Sequence, residues 1–434
     1  MPKYTNTIIT ATGKSNPGRI VKNKDFNDSI FYIRNISGEG YKLDPKTPEK
    51  RVEKLYKRTG IKEREYKLEG KVASDLGAEA VINSGDNFSL WDCFGIAHDF
   101  GDCKFGTPEI NWLPSIASQI VFREMQADRL SATPTVAYDV IANKNWYNFA
   151  KEVFASNDKK AYIIPQSERD RNIPEGLDYL IVVHERESMA ERVKKKAGIE
   201  NPNLICFDLL SGCPGWLELL IFSHYTIQAG LAKEIGTGAV ETLSDVSDPA
   251  DPDRMIYADK GGFVKVEARK GETKEGILSH ASRTDSEFGE YLTLGKSSNP
   301  NYPNKEHLFL KMKGNMLFRY AVNNVPGIIR ESLERADLTK EQIDLIFAHQ
   351  ANYYLDSEIL GEEGLGLPKE VIKRKTPMNI SWRGNSSVAT IPVLLDDVLK
   401  GDMPDFTIHP RNVLNFFSVG AGPCIDSAIY KVPE

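Results

Sequence analysis

The sequence predicts an α/β fold of two pseudo-symmetric halves, and three observations carry that expectation. Strand-like and helix-like patterns alternate along the chain, as they do where sheets are covered by helices. Short continuous apolar runs, such as 177–184 (LDYLIVVH) and 204–209, are of the kind buried on both faces of a sheet. The ends of such runs deliver chemically distinctive residues, Cys213 in the first half and His349 in the second.

The elements follow in order. Residues 7–11 read as a strand that ends at Gly13. Residues 47–58 are charged with a helical period and stop at Thr59-Gly60, and 72–83 (VASDLGAEAVIN) form an amphipathic helix. Between about 85 and 176 the pattern becomes irregular, rich in aromatics, Asp, Asn and Pro, with helical pieces at 115–128 and 146–154. An insertion this long is usually a cap, an interface element or a binding wall. Strands at 177–184 and 204–209 come next, then Ser211-Gly212-Cys213-Pro214-Gly215-Trp216 and an apolar helix from about 217 to 230. In the second half a helix near 315–335 precedes Thr339 and Gln342, which have capping-box spacing. Strand 343–348 delivers His349, and strands 412–417 and 426–432 flank a turn at Ser418-Val419-Gly420-Ala421-Gly422. The expected halves are 1–235 and 236–434, with the inserted or rearranged region at about 85–176. Identity between the halves is too weak to establish a repeat.

Composition narrows the class. A chain of 434 residues, 41% hydrophobic, can bury a large core. A mean hydropathy of -0.38 with 27% charged residues indicates a soluble globular protein. Acidic residues outnumber basic ones, 61 to 55, so no nucleic-acid footprint is present. The basic cluster Lys194-Lys195-Lys196 is short, mixed with glutamates, and reads as a solvated helix face. No apolar run approaches the ~20 residues of a membrane helix, and the first residues lack an apolar leader core, so a cytoplasmic, membrane-free protein is expected. The five cysteines, Cys93, Cys103, Cys206, Cys213 and Cys424, are an odd number that fits reduced thiols better than a disulfide framework. Cys93, His98 and Cys103 do not have a known metal-ligand spacing and lack a fourth ligand, so no metal is expected. Cys206 and Cys424 are expected to pack in the core.

Three residues carry candidate chemistry. Cys213 stands where an apolar strand ends before a helix, and Pro214 suits a first helical turn. A sulfur at a helix N-terminus meets free N–H groups and the positive end of the helix dipole, which predicts a lowered thiol pKa and a usable nucleophile. Most free cysteines are instead small buried hydrophobes. His349 follows a strand and opens His349-Gln350-Ala351-Asn352, and Asn385 lies in Arg383-Gly384-Asn385-Ser386-Ser387 ahead of an apolar run. Taken singly, these two read as a structural histidine and a turn asparagine.

Together, Cys, His and Asn in this order resemble the β-ketoacyl-acyl-carrier-protein synthase III family of thiolase-fold condensing enzymes. The resemblance covers residues 5–84 and 177–434. It rests on Thr59-Gly60-Ile61-Lys62-Glu63-Arg64, Gly212-Cys213-Pro214-Gly215-Trp216, His349-Gln350-Ala351-Asn352, the run from Gly384 to Pro392 (GNSSVATIP) and the closing Gly420-Ala421-Gly422. The cysteine block, with Pro214, is similar to a divergent subgroup rather than to the housekeeping enzymes. The resemblance implies a five-layer αβαβα sandwich, a homodimer, no cofactor, and a ping-pong reaction in fatty-acid or secondary-metabolite synthesis. Cys213 takes an acyl group from acyl-CoA; a malonyl thioester on acyl carrier protein then decarboxylates and attacks it. His349 and Asn385 suit the thioester oxyanion because both are uncharged donors, and the backbone N–H groups of Cys213, Gly420, Ala421 and Gly422 are the implied oxyanion hole. The alternatives are acyl transfer alone, a long-chain condensation of the olefin or dialkylresorcinol type, and a non-catalytic partner of acyl carrier protein.

The chain departs from the family in two places. Residues 99–118 (DFGDCKFGTPEINWLPSIAS) resemble the segment that normally separates the strand at 177–184 from the cysteine, yet they lie upstream of that strand. They follow Ala97-His98, while 177–184 ends in Val183-His184, which suggests a local rearrangement or insertion, with 119–175 having no family counterpart. The second departure, Asp259-Lys260-Gly261-Gly262-Phe263, bears on local packing and not on the chemistry.

Overall fold

A computed structural model describes residues 4–34, 40–99, 136–142, 144–166, 173–174, 176–185 and 187–434. Twelve of the described strands form the main sheet: β1 Tyr4–Lys14, β2 Cys93–Ala97, β3 Val136–Ala142, β4 Ala161–Pro165, β5 Tyr179–His184, β6 Ile205–Leu210, β7 Glu234–Thr242, β8 Asp259–Gly271, β9 Gly276–Thr284, β10 Leu345–Ala348, β11 Val413–Gly420 and β12 Cys424–Lys431. Their order across the sheet is β10-β11-β12-β9-β1-β8-β7-β2-β6-β3-β5-β4. The principal helices are α1 Pro48–Thr59, α2 Ala73–Asn83, α3 Lys144–Ser156, α4 Met189–Lys196, α5 Gly215–Gln228, α6 Gly314–Arg335, α7 Tyr353–Leu360 and α8 Thr390–Leu399.

Side-chain alternation along the strands assigns the layers. In β2, Phe94 and Ile96 face an outer core with α2 and α4, while Cys93 and Ala97 face a middle core. In β10, Leu345 and Phe347 face the same middle core, while Ile346 and Ala348 face a second outer core with α6 and α7. The middle core holds α5 and α8, apolar nearly all round as helices between two sheets must be. The five layers are thus α2/α4, the N-terminal strands, α5/α8, the C-terminal strands and α6/α7. The two sets of strands meet through one pairing, Thr7 with Gly276.

Most expected elements are present with ends shifted by a few residues. The capping box at Thr339 and Gln342 forms, with Thr339 N–H donating to Gln342 Oε1 at 2.8 Å, and caps a single 3₁₀ turn, Lys340–Gln342. The departure at 259–263 has a packing reason. A Cβ on Gly261 would lie 2.4 Å from the Leu76 carbonyl of α2, and one on Gly262 would lie 2.8 Å from Pro392 of α8. Helices press on both faces of β8, and only glycine leaves room.

The stretch read as irregular is different. Its described parts are strands and a helix of the main architecture. β2 sits centrally between β6 and β7, in parallel with both. β3, β5 and β4 extend the sheet beyond β6, and α3 packs in the middle layer beside α5 through Trp146 and Phe222. The strand β5, which the family resemblance would set beside the cysteine strand, lies two places away from β6, across β3. Local periodicity missed this because sheet position is decided by pairing partners distant in sequence. The helical piece at 115–128 and residues 100–118 of the displaced segment lie outside the described residues, as does Cys103.

Candidate active site

Strand β6 ends at a tight crossing of two backbones. Gly212 has φ of +63°, and a Cβ there would lie 2.7 Å from Ala421 N. A Cβ on Gly420 would lie 2.6 Å from Cys213 N. The turns Gly212-Cys213 and Gly420-Ala421 therefore touch main chain to main chain, which requires glycine on each. Pro214 is the N-cap and Gly215 the first residue of α5, so the thiol stands at the helix N-terminus as expected.

The thiol itself overturns one expectation. Burial pushes the Cys213 pKa up, to about 12, and the charge of Asp99 adds to the rise. A helix N-terminus favours the thiolate, but desolvation of the anion and the adjacent carboxyls outweigh it. At rest the group is therefore a thiol, and forming the nucleophile requires a proton acceptor.

Such an acceptor is at hand. Ser387 Oγ lies 3.3 Å from Cys213 Sγ and 3.1 Å from Asp99 Oδ2. One hydroxyl proton cannot serve both. In the thiol form S–H donates to Ser387 Oγ, and Ser387 O–H donates to Asp99. Asp99 N–H donates to Glu241 Oε1 at 2.6 Å. Burial raises the pKa of Asp99 and, well above the usual carboxylate range, of Glu241, where the charge of Asp99 adds to the effect. Two carboxyls in a desolvated site cannot both ionise cheaply, so the pair holds a proton. None of these three was singled out from the sequence. Ser387 lies in the Gly384–Pro392 run without a role of its own, Asp99 heads the displaced segment, and Glu241 is next to last in β7 with no motif around it.

His349 follows β10 and is anchored by its backbone N–H to Phe417 O at 2.9 Å. Its Nδ1 lies 2.6 Å from Thr390 Oγ1, and burial depresses its pKa to about 3. The imidazole is therefore neutral at any working pH. Asn385 is sewn in on both sides: its N–H donates to Ile256 O at 3.0 Å and its carbonyl accepts from Ala258 N–H at 2.8 Å. Ser387 N–H donates to Asn385 Oδ1 at 2.8 Å, which leaves Nδ2 as the amide's donor. Arg383, two residues earlier, pairs with Glu65 and, at 2.8 Å, with Asp397, fixing the loop to the buried Lys260–Glu65 pair.

These residues share one cavity of about 610 Å³. Cys213, His349, Asn385, Asp99 and Ser387 line it, as do Gly420 and Ala421. Gly422 is not among the lining residues. Leu243, Leu310, Phe318 and Leu355 make apolar walls, and Lys57 and Arg58 contribute positive charge. Cys93 and Cys206 are buried, and Cys424 packs in the core, 3.5 Å from Thr284 Oγ1. His98 bonds Asp208 at 3.1 Å rather than meeting Cys93 as a co-ligand. Among the described residues no group of three or more His, Cys, Asp or Glu side chains could hold a metal, and no helix is long and apolar enough to cross a membrane.

A layered α/β sandwich with a thiol at the head of a central helix, facing a neutral histidine and an asparagine, defines a thiolase-fold condensing enzyme. The sequence pattern described as 3-oxoacyl-[acyl-carrier-protein] synthase III C terminal matches residues 333–432. The β-ketoacyl-[acyl-carrier-protein] synthase III of Pectobacterium atrosepticum is 30% identical over 249 residues, covering 57% of this chain and 73% of the relative. The corresponding synthase III 1 of Vibrio vulnificus is 30% identical over 261 residues, covering 59% and 77%. The chain belongs to the β-ketoacyl-acyl-carrier-protein synthase III family. Solved structures agree on the fold: the Aquifex aeolicus synthase III (TM-score 0.62, 20% identity, covering 98% of this chain and 100% of that one) and the priming β-ketosynthase of the R1128 polyketide pathway (TM-score 0.65, 17%, covering 100% and 98%). OleA of Xanthomonas campestris shares it too (TM-score 0.60, 10% identity, 99% of each chain).

Proposed function

We propose that the protein catalyses decarboxylative Claisen condensation of an acyl-CoA starter with a malonyl thioester on acyl carrier protein, in cytoplasmic fatty-acid or related acyl-chain synthesis, without a cofactor. The observation that carries this reading is the meeting of Cys213, a neutral His349 and Asn385 in one cavity. In the first half-reaction the thiol proton passes through Ser387 to Asp99, sulfur bonds the acyl carbon, the donor's C–S bond breaks, and the leaving thiolate takes the proton back. In the second, malonyl thioester loses CO₂, and its carbonyl oxygen gathers negative charge beside His349 and Asn385. The new carbon–carbon bond expels Cys213 as thiolate, which takes up one proton from water, the proton that the decarboxylation consumes.

The donor role fixes the histidine tautomer. Nε2 must carry the proton, so Thr390 O–H must donate to Nδ1 and give up its bond to Ser387 O. Backbone N–H groups at Cys213, Gly420 and Ala421 are the oxyanion donors for the acyl carbonyl, with Gly422 supporting the turn from outside the cavity. Intact-protein mass spectrometry after incubation with acyl-CoA tests the first step, with a stable adduct expected. No adduct at any chain length would sink the proposal. In His349→Ala and Asn385→Ala, malonyl thioester decarboxylation should fall by ~100- to 1,000-fold, the usual loss for one oxyanion donor. Wild-type rates in both would refute their roles.

Asp99 favours one second reading. A condensation of two acyl thioesters, without decarboxylation, needs a base to remove an α-proton, and a buried carboxyl next to the nucleophile is such a base. Product from two acyl-CoA molecules with no malonyl thioester present would select this reading over the first.

The region set apart at about 85–176 we read as added strands and a helix within the N-terminal half, the C-terminal half from 236 carrying His349 and Asn385.

A further inference from the structure

Two passages of this chain repeat one another residue by residue in their hydrogen-bonding register. In the first, β2 is followed directly by His98 and β3 contains Tyr138-Asp139-Val140; in the second, β5 ends in His184 and β6 contains Phe207-Asp208-Leu209. β2 pairs with β6 so that Ile96 faces Asp208 and Ala97 faces Leu209. β5 pairs with β3 so that Val182 faces Asp139 and Val183 faces Val140. The third strands agree: Ala97 pairs with Ala239 of β7, and Val183 pairs with Pro165 of β4.

The correspondence reaches single bonds. Ile205 N–H donates to Asp92 O, and Val136 N–H donates to Asp178 O. Asp92 N–H donates to Glu234 O, and Asp178 N–H donates to Lys160 O. Asp92 Oδ2 accepts from Glu234 N–H at 3.1 Å, and Asp178 Oδ2 accepts from Lys160 N–H at 2.9 Å. Each unit has one buried histidine–aspartate staple between its first two strands: His98 Nε2 to Asp208 at 3.1 Å, and His184 Nε2 to Asp139 at 3.0 Å. These staples also show that the first strands are exchanged. The strand preceding β3 in the chain, β2, is built into the other unit, between β6 and β7, and β5 is built between β3 and β4.

The contact between the units completes the argument. β3 and β6 run antiparallel, with Leu209 paired to Val140 and, on either side, Asp208 to Ile141 and Leu210 to Asp139. In the repeat, Leu209 corresponds to Val140, and Asp208 to Asp139. Each central residue therefore pairs with its own counterpart, and a local two-fold axis passes through the Leu209–Val140 pair. That is the geometry of an isologous contact between two identical subunits.

We propose that β2, β3, β4 and α3 descend from a second copy of the nucleophile-bearing unit, fused into the chain, and that this copy supplies to β6 the sheet edge that a second subunit would supply. The position that corresponds to Cys213 in the copy is Lys144, so it has no thiol and its function is to complete the other unit. The resemblance implies a homodimer; here the two-fold contact lies within one chain, and no second molecule pairs along β6.

A double variant, Val140→Cys with Leu209→Cys, tests this by mild oxidation and peptide mapping. The expected product is a 140–209 disulfide within one chain of 48.6 kDa. A 140–209 disulfide joining two chains overturns the proposal. If that variant fails to fold, amide exchange on the unaltered protein decides. Protection of residues 136–142 and 205–210 should be independent of dilution; protection lost together with a two-chain species overturns the proposal.

Discussion

The passages β6–α5 and β3–α3 lie on either side of the Leu209–Val140 pair, alike in backbone and unlike in chemistry. Both have a strand with a buried aspartate held by histidine, followed by a helix in the middle layer. After β6 the chain reads Gly212-Cys213-Pro214-Gly215, and Gly212 lets the turn press against Ala421. After β3 it reads Asn143-Lys144-Asn145-Trp146. Trp146 takes up the space with its ring, centred 5.7 Å from that of Phe207 and 6.0 Å from that of Phe222. The strand register and the staple are what the architecture needs. Gly212 and the thiol are what the reaction needs, and a copy released from catalysis keeps only the strand register and the staple.

The largest expected effect separates the two directly. Cys213→Ala should abolish the acyl adduct, whereas Lys144→Ala should leave adduct formation per chain unchanged, both read by intact mass. Loss of acylation in correctly folded Lys144→Ala would place chemistry in the copy as well. Next comes the staple. Asp208 also accepts from the first N–H groups of α4, Met189 and Ala190, so Asp208→Ala strips a buried pair and a helix cap together. A loss of about 3–5 kcal/mol in unfolding free energy, the usual cost of breaking a buried pair, is expected from denaturant titration. A loss below 1 kcal/mol would show that the staple is incidental to the repeat.

A smaller effect tests why the thiol needs help. Burial is the main cause of the raised Cys213 pKa and Asp99 the second. Asp99→Asn removes a negative charge, so the pH midpoint of Cys213 alkylation should move downward, while the rate of acylation at neutral pH falls because the proton has lost its acceptor. A midpoint that does not move would remove Asp99 from the nucleophile's surroundings. The smallest effect concerns acid stability. His349 has a folded pKa of about 3 against an ordinary 6.5, so the unfolded chain takes up a proton that the folded one refuses. Stability is therefore lost as pH falls through that window, by up to ~1.4 kcal/mol per pH unit from this group. His349→Gln should flatten the fall between pH 6 and 4 in urea titrations; an unchanged slope would mean the imidazole is protonated in the fold.

Much of the site was legible because its residues stand where apolar runs break: Cys213 and His349 follow strands, and Asn385 follows Gly384 ahead of an apolar run. Cys213, His349 and Asn385 each follow or precede a turn that breaks an apolar run, and the structure brings all three to one cavity. The thiol's pKa was not legible. Helix polarity is local and can be read from Pro214 and the helix after it, but desolvation and the Asp99 charge come from groups more than a hundred residues away. The place of β2 was hidden for the same reason. Its sequence, Cys93-Phe94-Gly95-Ile96-Ala97, is short and weak in β-branched residues, and its neighbours, β6 and β7, lie far downstream. The matching ends Ala97-His98 and Val183-His184 were visible, yet only their aspartate partners reveal what the likeness means.

The exchanged strands set an order for the chain's birth. On a ribosome β2 emerges first, but its place lies between strands that end with Leu210 and Thr242, so it has to wait for more than a hundred further residues. During that wait, β3 and β4 receive their middle strand, β5, which follows β4 closely in the chain. The β3–β5–β4 unit can close first, while β2 stays without partners until β6 and β7 follow. Such distant pairings are slow to form and leave sheet edges open meanwhile, so this chain should depend on chaperones during synthesis more than a chain with its strands in simple succession.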